Sequence, residues 1–226
     1  MQKLLAAIVD DDPARVEALL EANPHLATRA IAEARLYTAG IRHWVYVGDT
    51  ALHLAAAGHR VEIVRLLLAA GAGPNAAGNH RRSGPLHYAA DGCAGCPGWC
   101  PESQVKTIRA LLDAGAPVNA QDKNGATPLH RAVRTRCAAA VRCLLEAGAD
   151  PLLPNLPGST PFHLAVQDTG RGGSGTQAAR AAQREILRQF LRLGLSPALT
   201  DRPGKSVLDS ARSVWIREAL SPDARA

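Results

Sequence analysis

Aromatic side chains are scarce in this chain: three Trp, three Tyr and two Phe in 226 residues. A core built on ring packing is thereby excluded, and whatever is buried must be mostly Leu, Ala and Val. Long apolar runs are missing too. No stretch approaches the roughly 20 residues that a membrane-spanning helix needs, and the N-terminus, with one Lys before Asp10, Asp11 and Asp12, lacks the pattern of a secretion leader. The paired C-x2-C units of a zinc ribbon do not occur. No glycine-rich loop ends in Gly-Lys-Ser/Thr after a strand, and Gly173-Ser-Gly175 lacks the spacing and the strand of a hydrolase elbow. Carboxylates are scattered rather than paired, so we expect no enzyme. The five cysteines leave at least one unpaired within the chain, which points to a reducing, cytoplasmic setting.

What the chain has is a recurring phrase. Thr50-Ala-Leu-His-Leu-Ala-Ala56 returns as Gly84-Pro-Leu-His-Tyr-Ala-Ala90, Thr127-Pro-Leu-His-Arg-Ala-Val133 and Thr160-Pro-Phe-His-Leu-Ala-Val166, and in altered form as Ser206-Val-Leu-Asp-Ser-Ala-Arg212. A threonine fits the N-cap, and Pro85, Pro128 and Pro161 fit the first helical position, where a missing N–H costs nothing. A second apolar phrase follows, as in Val61-Glu-Ile-Val-Arg-Leu-Leu-Leu68, with Ile63, Val64, Leu67 and Leu68 at helical spacing. Gly71, Gly115, Gly148 and Gly194 then stop the second helices, where a left-handed residue is wanted. One such pair cannot bury its apolar face alone, so the pairs must stack.

The phrase Thr-Pro-Leu-His-x-Ala, followed by a helix ending in Ala-Gly-Ala, resembles the ankyrin repeat, whose period is about 33 residues. The resemblance covers nearly the whole chain. It implies an all-α ankyrin-repeat solenoid of stacked helix-turn-helix units with finger loops, forming a single domain over residues 1–226. The units fall at about 1–27 (a cap), 48–80, 82–123, 125–156, 158–201 and 204–220 (a cap). It also implies that His53, His87, His130 and His163 are structural, bonding across units, and that Asp209 replaces the histidine in a terminal copy. Asp12 and Pro13 start the second helix of the first cap.

The spacing of the capping phrases runs 34, 43, 33 and 46. Two insertions, 91–103 and 167–178, therefore fall between the helices of their units, and an extended finger, 28–47, precedes Thr50. Insertions in solenoids map to one face and often carry binding. The finger holds Tyr37, Arg42, Trp44 and Tyr46, with Trp44 and Tyr46 either open to a partner or folded back over the first stack interface, and alternation in Ile41–Val47 predicts a strand or hairpin. The first insertion holds Cys93, Cys96 and Cys100, which with Cys137 from the next inter-helix turn form a candidate zinc set. Plain thiols or a disulfide account for the same residues. The second insertion is a glycine-rich loop feeding a helix. With Arg134, Arg136 and Arg171 it is a candidate site for a phosphate or similar anion, or simply a linker.

The formal charge is +6, but the basic residues are interspersed along helices and no nucleic-acid-binding motif occurs. We expect neither nucleic acid nor membrane as partner, no cofactor other than that possible zinc, and a monomer. The expected function is a protein-binding scaffold, its partner held on the concave helices and fingers by Tyr37, Arg42, Trp44, Tyr46, Arg81, Arg82 and Lys123. Tyr, Trp and Arg dominate interface energetics when desolvated.

Overall fold

A computed structural model describes residues 1–38, 40–92, 99–168 and 175–221. Among them, short helices follow one another in pairs: α1 (Gln2–Val9) with α2 (Pro13–Ala22), α3 (Ala51–Ala57) with α4 (Val61–Ala69), α5 (Pro85–Ala90) with α6 (Pro101–Asp113). The series continues with α7 (Pro128–Arg134) and α8 (Ala138–Glu146), α9 (Pro161–Ala165) and α10 (Gln177–Arg192), and α11 (Val207–Ser210) and α12 (Val214–Ala219). First helices pack on first helices, α1 on α3, α3 on α5, α5 on α7, α7 on α9 and α9 on α11. Second helices pack in the same order in a parallel row. The result is the stacked, mostly helical solenoid that the repeat implies.

The core is aliphatic. Leu52, Leu86, Leu129 and Phe162, at matching places in the repeated phrase, are fully or almost fully buried, as are Ile63, Val64 and Leu67 of α4. Small residues let the first helices approach closely: Ala55, Ala56, Ala89, Ala90, Ala132 and Ala165 are all buried. Cys143 of α8 is buried as one more small apolar side chain. Where the inter-helix turn is short, a single left-handed residue closes it: Asp11, His59 and Arg136, all at positive φ. In the two units with long inter-helix loops, a buried glutamine takes over part of that work. Gln104 donates to the carbonyls of Ala89 and Ala90, and Gln183 to those of Ala165 and Gln167, so the end of each first helix is still satisfied.

The repeated histidine ties unit to unit. In His53 the Nδ1 atom accepts from the Thr50 N–H at 3.0 Å, which leaves Nε2–H to donate to the Ser83 carbonyl, 3.1 Å away in the next finger. His87 does the same toward Ala126, His130 toward Ser159 and His163 toward Lys205. Asp209 keeps only the local half of this device, accepting from the Ser206 N–H at 3.1 Å. Burial drives His53, His87 and His130 toward the neutral form: His87 falls to about 4, helped by Arg131, and the other two are also lowered.

Fingers are linked to fingers by backbone. The Lys123 N–H donates to the Arg81 carbonyl at 2.8 Å, and the Leu156 N–H to the Asn124 carbonyl at 2.9 Å. Each finger is closed by an Asx turn of one design, in which Asn79, Asp122, Asn155 and Asp201 accept through Oδ1 from the N–H four residues on. The close approach needs glycine. Gly125 has φ +73, and a Cβ there would lie 2.8 Å from the Leu156 nitrogen. Gly125→Ala should therefore combine left-handed strain with a backbone clash, about 2 kcal/mol or more together. Gly115→Ala is the control, since φ there is +88 but the space is open. Thermal melting should show a loss of roughly 4 °C or more for the first, and clearly less for the second. Equal losses would mean that the finger contact contributes nothing.

Candidate partner-binding face

The extended finger forms a hairpin, as the alternation in 41–47 anticipates. Strand β1 (Arg35–Tyr37) pairs antiparallel with β2 (His43–Val45), with Leu36 opposite Trp44. The hairpin is bolted down at its base, where the Ile31 N–H donates to the Asp49 carbonyl and the Gly48 N–H to that of Ile31. Ile31, Ile41 and Val45 are buried beneath it, and Arg60 reaches back to Asp11 at 2.9 Å and to the Gly40 carbonyl. Alternation then turns Trp44 outward, where 48% of it is exposed.

Beneath Trp44 sits a polar anchor. Asp49 is fully buried and accepts from the Tyr46 N–H, from Asn79 Nδ2 and from the Tyr88 hydroxyl, each at 2.7 Å. Burial and the adjacent Asp49 charge raise the Tyr88 phenol, so it stays protonated as a donor. Tyr46 is held by Arg81, whose Nη1 donates to its hydroxyl at 2.8 Å while the guanidinium lies over the ring. His80 meets Tyr46 edge-on and Trp44 stacks on it. Trp44, Tyr46, His80 and Arg81 thus form one aromatic and cationic patch at the edge of the stack.

The hairpin also leans on the first-helix row. His43 packs against Tyr88, with Nε2 3.6 Å from Asp91 at the end of α5. Asp91 in turn accepts from Arg131 at 3.1 Å and from Arg134 at 3.0 Å. Burial alone would raise this carboxyl, but the nearby His43 ring and the two arginines outweigh it and hold Asp91 at about 2. Arg131 is itself buried, and its other nitrogen donates to Asp122 at 2.7 Å.

Not all expected residues converge. Trp44, Tyr46 and Arg81 share the patch, and Lys123 and the exposed Arg82 adjoin it through the finger ladder. Tyr37 lies across the hairpin, opposite His43 and under the Arg35 guanidinium; Arg42 is exposed at the turn into β2. For the anion set, Arg134 reaches back to Asp91 while Arg136 reaches forward to the Gln167 carbonyl. The two side chains leave their turn in opposite directions, and Arg171 lies outside the described residues. Of the cysteine set, Cys93 and Cys96 also lie outside. Cys100 donates to Glu102, and Cys137 is buried with its sulfur against Gly92, its thiol pushed up by that burial. Among the described residues no group of three or more His, Cys, Asp or Glu side chains is placed to hold a metal.

The sequence reading missed Asp49, Tyr88, Asp91 and Arg131 as parts of this face. The one available signal was Arg131, which stands where the other copies carry Leu54, Tyr88 and Leu164. Among the described residues no helix is long and apolar enough to cross a membrane.

Comparison with known proteins adds the following. Residues 47–79 and 84–123 match the family model described as "Ankyrin repeat", and residues 111–165 the one described as "Ankyrin repeats (many copies)". A stretch of 97 residues is 39% identical to the human B-cell lymphoma 3 protein, covering 41% of this chain and 19% of that protein. The chain therefore spans only about a fifth of that relative. The crystal structure of an ankyrin repeat domain from Acinetobacter baumannii AYE superposes with a TM-score of 0.65 at 24% identity, over 96% of this chain and 95% of that one.

Proposed function

Since the chain belongs to the ankyrin repeat family, we propose that it is a binding scaffold that docks a partner protein on the face made by the hairpin, the fingers and the first helices. Repeats of this kind act as protein-interaction modules. The observation that supports this face above others is Trp44. It is a large aromatic side chain, 48% exposed, carried on a hairpin whose base is fixed by Ile31, Ile41 and Val45.

The energetics favour such a role. A rigid frame loses little freedom on binding, so most of the contact energy appears as affinity. Trp and Arg at a preordered patch are the residue types that become hot spots once water is excluded. Tyr46 and Arg81 beside Trp44, Arg82 and Lys123 along the finger ladder, and Tyr37 and Arg42 elsewhere on the hairpin supply the remaining contacts in this reading. Chemistry has no comparable support on this face. The repeat histidines are turned to carbonyls, and Asp91, Arg131 and Asp122 neutralise one another.

Trp44→Ala tests the assignment, because an exposed side chain is removed without touching the core. Its melting temperature should match that of the parent. Recovery of native-host proteins by affinity purification and mass spectrometry, followed by titration of the recovered partner, should show affinity weakened roughly 30-fold, as expected for a hot spot worth about 2 kcal/mol. Partners retained at full affinity would remove this face from consideration.

A further inference from the structure

The finger edge and the second-helix row differ in where their acids sit. The second helices carry acids of their own, and several are paired there: Glu62 with Arg65, Glu146 with Arg109, and Glu185 with Arg188. The fingers differ. Their exposed basic residues are Arg29, Arg35 and Arg42 in the first finger, Arg82 in the second, Lys123 in the third, and Arg202 and Lys205 in the fifth. None of these makes an ion pair among the described residues. The finger acids are nearly all committed within the fold. Asp49 and Asp122 are buried, Asp150 accepts from the Leu152 N–H and Asp201 from that of Lys205, which leaves Glu33 exposed.

These positive charges form a row. Tyr46 bonds to Arg81, Lys123 bonds to Arg81 through the backbone, Leu156 bonds to Asn124, and Gly158 abuts Arg202. Between Lys123 and Arg202 lies Leu156, which is 62% exposed. The edge therefore reads aromatic, basic, basic, apolar, basic along the stack axis. Helices of neighbouring units pack about 8–10 Å apart, so the row from the first finger to the fifth spans roughly 40 Å, the length of about twelve extended residues at ~3.3 Å each.

Building on the interaction face proposed above, we infer that this row receives an extended acidic segment of the partner protein, with apolar side chains seated at Trp44 and at Leu156. Unpaired basic tips steer an acidic chain toward the row, and their attraction falls with salt. A single-stranded nucleic acid fits less well. Base stacking needs successive platforms, whereas the outward aromatic surface here is confined to one end and the row turns apolar at Leu156.

Labelled peptides of about twelve residues alternating Glu with Leu or Phe, the same peptides with Gln for Glu, and an oligothymidylate of similar length form the test, titrated against the full chain by anisotropy. The Glu peptide should bind at least tenfold tighter than the Gln peptide at low salt, and 0.5 M NaCl should abolish that preference. Arg82→Glu with Lys123→Glu should weaken it at least tenfold while leaving the melting temperature in place. Equal binding of both peptides, no binding of either, or tighter binding of the oligothymidylate overturns the inference. A native partner that is lost with Trp44→Ala yet indifferent to salt and to the charge reversals would leave the interaction face standing and remove the acidic segment alone.

Discussion

Acidification from pH 7.5 to pH 5 should remove at least about 4 kcal/mol of folding stability. His59 and His87 are the source. Burial holds each near 4 in the folded chain, against about 6.5 when unfolded. Above pH 6.5 both states are neutral and the full stability is present. Below it the unfolded chain takes up protons that the folded chain refuses, so stability is lost as the pH falls toward 4. At pH 5 the loss is about 2 kcal/mol per ring, and His53 and His130, lowered for the same reason, add to it. Asp91, held at about 2, loses its contribution only as the pH falls from the ordinary carboxylate value toward 2, so the decline between 6.5 and 5 belongs to the rings. Urea midpoints measured from pH 8 to 4, with His87→Asn to flatten the slope by about 1.4 kcal/mol per pH unit, give the check. A midpoint that stays level down to pH 5 would show that these rings are not kept neutral.

Replacing Arg131 by Leu should cost about 3 kcal/mol, although Leu is the residue at this position in two of the other copies. The guanidinium bridges Asp91 and Asp122, and its removal leaves one buried and one partly buried carboxylate short of a partner. The penalty sits at the lower end for such a break, because Arg134 still serves Asp91, and the N–H groups of Asn124 and Ala126 still serve Asp122. Adding Asp122→Asn should recover more than half. Asn79 and Asn155 already close the equivalent turns in neighbouring fingers, so the turn tolerates the amide while the uncompensated charge disappears. Denaturant unfolding of the two single variants and the double variant measures the coupling. Independent, additive effects would mean that the ion network is not what holds the third finger against α7.

How much of this was legible beforehand varies by element. Caps, prolines, buried leucines and histidines were readable because each is a local rule repeated in register, and the outward turn of Trp44 follows from strand alternation. The polar floor was not. Asp49 looks like any residue before an N-cap, and its burial arises only because Asn79 and Tyr88, 30 and 39 positions later, bring donors to it. Arg131 was visible as an oddity, but arginine is ordinarily exposed, and its two partners lie 40 and 9 positions back, in different parts of the preceding unit. Arg134 and Arg136, two positions apart at a helix end, invite grouping; the left-handed turn at Arg136 sends them apart.

The imidazole links all point the same way, each ring giving its proton to a carbonyl further along the sequence. A ribosome delivers this polymer from its amino end, so every newly emerged hairpin carries a donor whose acceptor is still to be translated. Assembly thus has a built-in direction. Truncation from the carboxyl side strands a ring without its acceptor, whereas trimming from the other side strands only an oxygen that water readily serves.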